Sequence, residues 1–414
     1  MSTLGTVELP AFLSDEMAAD PYAYYKQLRG TDSVHWDGEF GAFLISRHAD
    51  LAAAYRDPRF STQSYEQILQ PIFGRSMLQM DGSEHTRKRA LVSPYFRGKG
   101  LDAWMSVIAR NVDVILDKAT HDAAHHIIRR FEPGQTVDLL AEFGYYLPVY
   151  VITNMLGLPH EDYDKFFAWY NAHTNFSAAF GLDPEVDRIG RQATADLWDY
   201  LTPVISERRA NPGTDLISAL VTAEIDGEKF DDVEVKTHVT QLLNAGSETT
   251  GKTLASLFTH LLSRREYFEE IREDRSKLLP AISETLRFTP PSQLNSRKLT
   301  EDLDLHGVHM PAGSLVLLLI ASANRDERRF QNPDVFDPRR PDLDHEKTFT
   351  NSGEHFAFGG GRHFCLGAML AKSELEVGTN MLMDRFPNMR LADGIEPMWH
   401  GVKMRSVTQL IVTL

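Results

Sequence analysis

"FGGGRHFCLG", residues 358–367, sets Cys365, the single cysteine of the chain, behind three consecutive glycines, Gly359, Gly360 and Gly361. Glycine accepts the positive φ of a tight turn and carries no Cβ to obstruct a close approach, so the loop gives freedom to the backbone just ahead of one sulfur. The following "LGAMLAKSELEVG" has helical spacing, which puts Cys365 at a helix N-terminus, where free backbone N–H groups stabilise negative charge. These residues predict a site that favours thiolate over thiol and ligates a metal.

The rest of the chain bounds what that metal site serves. With 414 residues and nothing that reads as a linker, one large domain or two fused lobes with a sizeable core is expected. The balance of 43 Lys and Arg against 58 Asp and Glu, a net charge of -15, argues against nucleic acid or an anionic membrane surface as the main partner. "MSTLGTVELPAFLSDEMAAD" has neither the basic nor the long apolar region of an export signal, and no stretch reaches the roughly 20 apolar residues of a spanning helix. A cytoplasmic protein is expected, and one cysteine, unable to form an intrachain disulfide, suits a reducing compartment.

Helical patterns dominate, so the expected class is mainly α with a minor β part. Strand-like runs concentrate in the first sixty residues and after Pro291. "VHWDGEFGAFLISR" predicts a hairpin of Val34 to Trp36 and Ala42 to Ser46, and "GVHMPAGSLVLLLI" a second β region. The clearest helix starts near Asp231, with Glu234 in capping-box position, and runs toward Arg264, about 30 residues or roughly 45 Å. Val239, Leu242, Leu243, Leu254, Leu257, Phe258 and Leu261 give it an apolar face. Its middle, "NAGSETTGKT", is a poor core sequence, with glycines at 246 and 251 each costing about 1 kcal/mol relative to Ala. Two readings stand for it: a kinked helix with an exposed polar stripe, or a local opening where a hydroxyl beside a carboxyl faces a cavity. A second helix is expected from Pro280 to before Pro290, carrying Glu284 and Arg287 three apart on one face; an isolated pair of this kind is ordinarily a solvated bridge. A structural zinc at Cys365 is poorly supplied, since His355 and His363 are the nearby candidates, whereas haem needs only one axial sulfur.

Taken together, "AGSETT" at 245–250, Glu284 to Arg287, "FDPRR" at 336–340 and "FGGGRHFCLG" resemble, in order and spacing, the cytochrome P450 family of soluble bacterial haem-thiolate monooxygenases. The resemblance covers nearly the whole chain. It implies a triangular helical prism with haem held between a long central helix and the cysteine-loop helix. It also implies a single domain over 1–414, with a β-rich lobe at approximately 30–60 and 291–320 and a helix-rich remainder. Cys365 would be the proximal ligand of the iron of haem b, with Phe358 and Gly359 beside the sulfur and Gly367 admitting the porphyrin. Ala245 and Gly246 would face the haem. "DGSEHTRKRALVSPYF" matches the haem-edge helix, so His85 and Arg89, with Arg297 and His363, would hold the two propionates. Glu284, Arg287 and Arg340 would form a buried network, structural rather than catalytic, that holds the cysteine-side scaffold. Glu248 and Thr249 match the acid and alcohol that deliver protons during dioxygen activation.

The resemblance implies electrons from NAD(P)H through a separate ferredoxin and ferredoxin reductase, because about fifty residues after Cys365 leave no room for a redox domain. An acidic ferredoxin meeting an acidic protein needs a local basic patch, and Arg362, Arg87 and Lys88 are the candidates. Two other classes remain open: a haem-thiolate enzyme that uses peroxide or rearranges its substrate, and a non-catalytic haem sensor or binding protein. The acid and alcohol favour dioxygen activation. His121 and His125 have helical metal-ligand spacing but lack a hydrolase Glu, so no metal is assigned to them. Pocket walls are expected from 61–80, the aromatic stretch 166–180, the long helix near Asn244, "PPSQLNS" around Leu294 and the turn near Val402, with Gln293 and Asn295 as polar contacts. A medium-sized lipophilic metabolite is the expected substrate. "YLTPVISERRANPGTDLIS" and "SETLRFTPPSQL" are similar to the branch of the family that oxidises cyclic dipeptides.

Overall fold

In the computed structural model, which describes residues 11–31, 33–102, 131, 133–178 and 183–414, the Asp231 carboxylate accepts the backbone N–H of Glu234 at 2.8 Å and the Glu234 carboxylate accepts that of Asp231 at 3.0 Å. This reciprocal capping box starts the expected long helix, Asp232–Ser263, whose 32 residues run without a break through the polar middle. Gly251 is there for contact. A Cβ on it would stand 2.2 Å from the carbonyl oxygen of Gly144, so the glycine lets the π-helical turn Leu140–Gly144 lie directly against the helix. Gly246 differs, since a Cβ on it would meet nothing within 4 Å. The helix therefore faces a cavity, as one of the two sequence readings held, without opening.

Around this central helix pack Tyr146–Met155, Tyr163–Ala178, Pro184–Ala210, Leu278–Phe288 and Ala368–Arg385. With the haem-edge candidate Gly82–Val92 first, they are α1 (Gly82–Val92), α2 (Tyr146–Met155), α3 (Tyr163–Ala178), α4 (Pro184–Ala210), α5 (Asp232–Ser263), α6 (Leu278–Phe288) and α7 (Ala368–Arg385). Val239, Leu243, Leu254, Leu257, Phe258 and Leu261 of α5 sit in the largest apolar cluster. Leu242 is only half-buried, because its side of the helix borders the cavity.

The main sheet runs β1 (Val34–Asp37), β2 (Ala42–Ile45), β5 (Leu315–Leu318), β4 (Asn295–Leu299), β3 (Phe60–Ser61). The expected hairpin pairs Val34 with Ile45 and Asp37 with Ala42. "GVHMPAGSLVLLLI" does supply two strands, but they do not pair with each other. Val308–Met310 joins Leu303–Leu305, while β5 lies parallel to β2 and antiparallel to β4. Strands also occur at Thr136–Asp138 and at Glu224–Ile225 with Glu228–Lys229, between the two expected regions. The latter turns on Asp226 (φ 53) and Gly227 (φ 82), an Asp-Gly hairpin signal in the sequence.

Helix α6 starts at Leu278, two residues before Pro280, which still falls in the first turn, where a missing N–H costs nothing. Its Glu284 and Arg287 are not solvated. Arg287 Nε and Nη2 each donate to the Glu284 carboxylate at 2.7 Å, and neither side chain has any exposure. Arg340 Nε reaches Glu284 Oε2 at 2.9 Å, and the Asp337 N–H donates to Oε1 at 2.9 Å. The surplus guanidinium charge is met by Asp342, 2.7 Å from Arg340 Nη1. This knot ties α6 to the chain that leads into the cysteine loop.

Candidate functional site

The cysteine loop folds onto Tyr55. Gly359 (φ +68) and Gly361 (φ +65) take the left-handed conformation expected, and a Cβ on Gly361 would stand 2.0 Å from the Tyr55 carbonyl oxygen. Gly360 does not follow them: its φ of -165 is extended, and what it avoids is the Tyr55 ring, 3.0 Å from a built Cβ. The Cys365 N–H donates to the Phe358 carbonyl at 2.9 Å and closes the loop. Gly367 then caps α7.

Cys365 is exposed, and the cavity is what it faces. Burial raises its thiol above the ordinary value, while the Gly367 N–H and the Arg89 guanidinium pull the other way. The backbone N–H and the guanidinium act in the direction that the sequence reading expected, and burial acts against them; the sulfur lies two residues before the cap.

The cavity is bounded by α5 on one side and by the cysteine loop and α7 on the other. His85, Arg89, Ala245, Gly246, Thr249, Arg297, Phe358, Gly359, His363, Cys365 and Gly367 all line it. Residues far apart in sequence are thereby brought onto one surface. The His85 and His363 rings lie 4.0 Å apart, and His363 Nε2 sits 3.3 Å from Asp81 Oδ1. Arg89 Nη2 donates to the Phe364 carbonyl at 2.5 Å, and Arg297 Nη1 to that of Ser296 at 2.7 Å. Burial, then the charges of His363 and Arg89, hold His85 down to about 4.

Glu248 is the exception among the predicted site residues. It does not line the cavity, and its carboxylate pairs with Lys252 Nζ at 2.6 Å, one turn further on. Consecutive helical residues point about 100° apart, so a wall that takes Thr249 turns Glu248 aside. The Thr249 hydroxyl donates to the Ala245 carbonyl at 3.3 Å.

The expected walls hold in part. Thr62, Tyr65, Met77 and Leu78 line the cavity, as do Gln241 and Leu242 near Asn244, and Pro291 and Asn295. Gln293, Leu294, Val402 and the described part of the aromatic stretch do not. Phe166, Tyr170 and Phe176 are core residues, and Lys403, beside Val402, donates instead to the Ser177 carbonyl at 3.0 Å. Phe180, His121 and His125 lie outside the described residues.

Sequence reasoning missed Glu374. It is 4% exposed, lines the cavity, and burial pushes its carboxyl up to about 8, with the Thr250 hydroxyl opposing. Gly367, Leu370, Ala371 and Glu374 follow one face of α7 at steps of three, one and three, which was a readable signal.

Two of the three basic-patch candidates are already committed. Arg87 lies 3.7 Å from Glu228, and Lys88 Nζ is 2.5 Å from Glu234. Arg362 is exposed and makes no ion pair among the described residues.

The donors fit a flat dianionic macrocycle with a metal centre. His85 Nε2 is buried without a partner, Arg89 and Arg297 are cationic, and Gly246 and Gly367 leave open space where a Cβ would stand. Among the described residues no group of three or more His, Cys, Asp and Glu is arranged to hold a metal ion. No described helix is long and apolar enough to cross a membrane.

The sequence profile of the family described as Cytochrome P450 matches residues 34–394. The chain is similar to pulcherriminic acid synthase of Bacillus subtilis, 35% identical over 409 residues that span 98% of each chain. It is also similar to nocardicin C N-oxygenase of Nocardia uniformis, 35% identical over 413 residues, 96% of this chain and 97% of that one. Among solved structures, the bacillaene polyketide synthase cytochrome P450 PksS of Bacillus subtilis matches with a TM-score of 0.83 at 29% identity, covering 97% of this chain and 98% of the other. CYP109E1 of Bacillus megaterium in complex with testosterone matches with a TM-score of 0.81 at 28% identity, covering 95% and 99%.

Proposed function

The chain belongs to the cytochrome P450 family, and on that premise we propose a haem-thiolate monooxygenase that takes two electrons from a separate ferredoxin to oxidise a lipophilic metabolite of medium size. The observation that carries this reading is that Cys365 shares one cavity with His85, Arg89, Arg297, His363 and Thr249. The relatives support a small-molecule role in secondary metabolism: one is named as the synthase of pulcherriminic acid and one as an N-oxygenase of nocardicin C, and one solved relative holds testosterone.

In this reading Cys365 ligates the iron of haem b, and Phe358, Gly359 and Gly367 shape the approach to its sulfur. His85, Arg89, Arg297 and His363 would hold the two propionates, the guanidinium groups as charge-assisted donors and the imidazoles as neutral hydrogen-bond donors. Ala245 and Gly246 leave the face of α5 low enough for a small molecule to lie between helix and macrocycle. When bound, the haem supplies dioxygen activation and the oxidation of substrate. The Thr249 hydroxyl holds a proton at its Oγ1 on the cavity wall, with the Ala245 carbonyl orienting it. Glu248 stands behind, paired with Lys252, and its role is to resupply that proton from the solvent side. Electrons originate in NAD(P)H and arrive through ferredoxin reductase and ferredoxin, and the setting is the cytoplasm.

Thr249→Ala tests the assignment. Haem content and substrate affinity should stay near wild type while coupling of NADH consumption to product falls at least several-fold, reducing equivalents appearing as peroxide. Reaction with surrogate ferredoxin and reductase, compared with peroxide alone, separates this reading from a peroxide-using enzyme or a sensor. Unchanged coupling in Thr249→Ala would remove Thr249 from proton delivery.

A further inference from the structure

Among the described residues, two side chains from outside the cysteine loop hydrogen-bond to its backbone. Arg89, on the cavity wall, holds the Phe364 carbonyl. The other is Asn351, which is exposed and not on that wall. Its Oδ1 accepts the Gly361 N–H at 3.0 Å and its Nδ2 donates to the Gly361 carbonyl at 3.1 Å, so one planar carboxamide grips both polar groups of one residue. Gly361 opens the tight turn Gly361–His363, and its carbonyl also takes the Phe364 N–H at 3.3 Å. From this turn Arg362 faces solvent and His363 lines the cavity. A glycine at positive φ has wide freedom of its own, so its partners decide where the turn points.

Asn351 is itself held. The Thr350 N–H donates to the Lys347 carbonyl at 2.9 Å and the Gly353 N–H to the Thr350 carbonyl at 3.1 Å, closing the chain around it. Just before, the buried Thr348 hydroxyl donates to Ser283 Oγ on α6 at 2.8 Å, and the Phe349 ring lies 5.2 Å from that of Phe358 at the start of the cysteine loop. Residues 348–351 thus lean on α6 through Thr348 and on the loop through Phe349 and Asn351.

We propose that Asn351 is a positioning residue for the haem pocket: from a segment anchored on α6 it grips the Gly361 peptide and so sets the turn that carries His363 into the cavity and Arg362 onto the surface. The link to haem rests on the reading of the cavity as the haem chamber, whereas the grip on Gly361 does not. Water replaces exposed hydrogen bonds when they are lost, so removing the carboxamide should loosen the turn locally and leave the melting temperature nearly unchanged.

The test compares haem-loaded wild type, Asn351→Ala, Asn351→Asp, His363→Ala and the combination of Asn351→Ala with His363→Ala, with the reduced carbon monoxide spectrum and melting temperature of each recorded first. The grip is read from amide hydrogen exchange: Gly361 should exchange about tenfold faster in Asn351→Ala, and close to the wild-type rate in Asn351→Asp, which keeps an acceptor for the N–H. The consequence is read from the rate at which ferric haem passes to excess apomyoglobin. That rate should rise about threefold in both Asn351 variants, since ionised Asp has no donor for the Gly361 carbonyl, and Asn351→Ala should add little once His363→Ala is present. Unchanged Gly361 exchange in Asn351→Ala would overturn the grip. Haem transfer at the wild-type rate, or a full Asn351→Ala effect in the His363→Ala background, would overturn the positioning of His363. Should Asn351→Ala fail to fold, Asn351→Asp with and without His363→Ala decides the same point. Absence of the carbon monoxide band in haem-loaded wild type would remove the chamber reading and the link to haem, and the exchange result would then decide the grip alone.

Discussion

Arg287 grips the Glu284 carboxylate through two parallel hydrogen bonds of 2.7 Å with no solvent on either side chain, and Arg340 closes on the same carboxylate at 2.9 Å. Removing the acid strands two buried guanidinium groups, and breaking a buried pair in this way costs about 3–5 kcal/mol. Glu284→Ala should lower the chemical-denaturation midpoint accordingly and impair haem incorporation, whereas reversal of an exposed pair such as Arg188 with Glu185 should change stability by less than about 1 kcal/mol. Equal effects at the two sites would show that the buried knot is not what holds the cysteine side together.

Stability should pass through a maximum with pH, because two buried groups titrate in opposite directions. Burial, with the Arg325 and Arg264 charges adding, holds His260 down to about 3, so the folded protein keeps it neutral. The unfolded chain protonates it near the ordinary 6.5, so its contribution is complete above that pH and is lost as pH falls toward 3. Glu374, pushed up to about 8, is protonated in the fold and ionises near 4.5 when unfolded; its contribution is complete below 4.5 and is lost as pH rises toward 8. Each group adds at most about 1.4 kcal/mol per pH unit within its window. Glu374→Gln should flatten the alkaline side of a melting-temperature profile and leave the acid side unchanged, whereas His260→Gln should lessen the acid-side loss only in part, because burial also holds His85, His173 and His355 down. A Glu374→Gln profile that parallels wild type from pH 5 to 8 would contradict the buried, neutral Glu374.

Electron transfer should depend on Arg362 more than on Arg87 or Lys88. The last two already face Glu228 and Glu234, whereas Arg362, three residues before Cys365, is exposed. With a small acidic ferredoxin as donor, Arg362→Glu should raise the concentration for half-maximal reduction about three- to tenfold, and wild-type reduction should slow with added salt. Arg87→Glu should matter less. Reduction kinetics indifferent to salt and to both reversals would move the docking face elsewhere.

The elements legible in the sequence were those whose signals are local. The Asp231 to Glu234 capping box set the start of α5 to the residue, and the Gly-containing turn set the β1 to β2 hairpin. The cavity set was legible because the motif residues carry their own order and spacing, and eleven of the twelve predicted residues line one cavity. What escaped was non-local. Glu284 read from "ETLRF" alone is one half of a solvated pair, because nothing there encodes that Arg340, more than fifty positions on, will cover it; the buried network with Arg340 was expected from the resemblance, not from these residues. Gly251 looked like a flaw in a helix until Gly144 came against it. Glu248 was paired with Thr249 by motif, and only the helix geometry with Lys252 in place turns its carboxylate off the wall. The β5 pairing with β2 and β4, rather than with the strand just before it, likewise depends on chain distant in sequence.

The central claim is that Cys365 is the sulfur ligand of a haem in this cavity, and the reduced carbon monoxide difference spectrum tests it most directly. Wild type should show the band at about 450 nm that marks a haem held by a thiolate, and Cys365→Ser should lose it while the folded protein keeps its far-ultraviolet circular dichroism. A band at that position in Cys365→Ser, or its absence in haem-loaded, reduced wild type, would contradict the account.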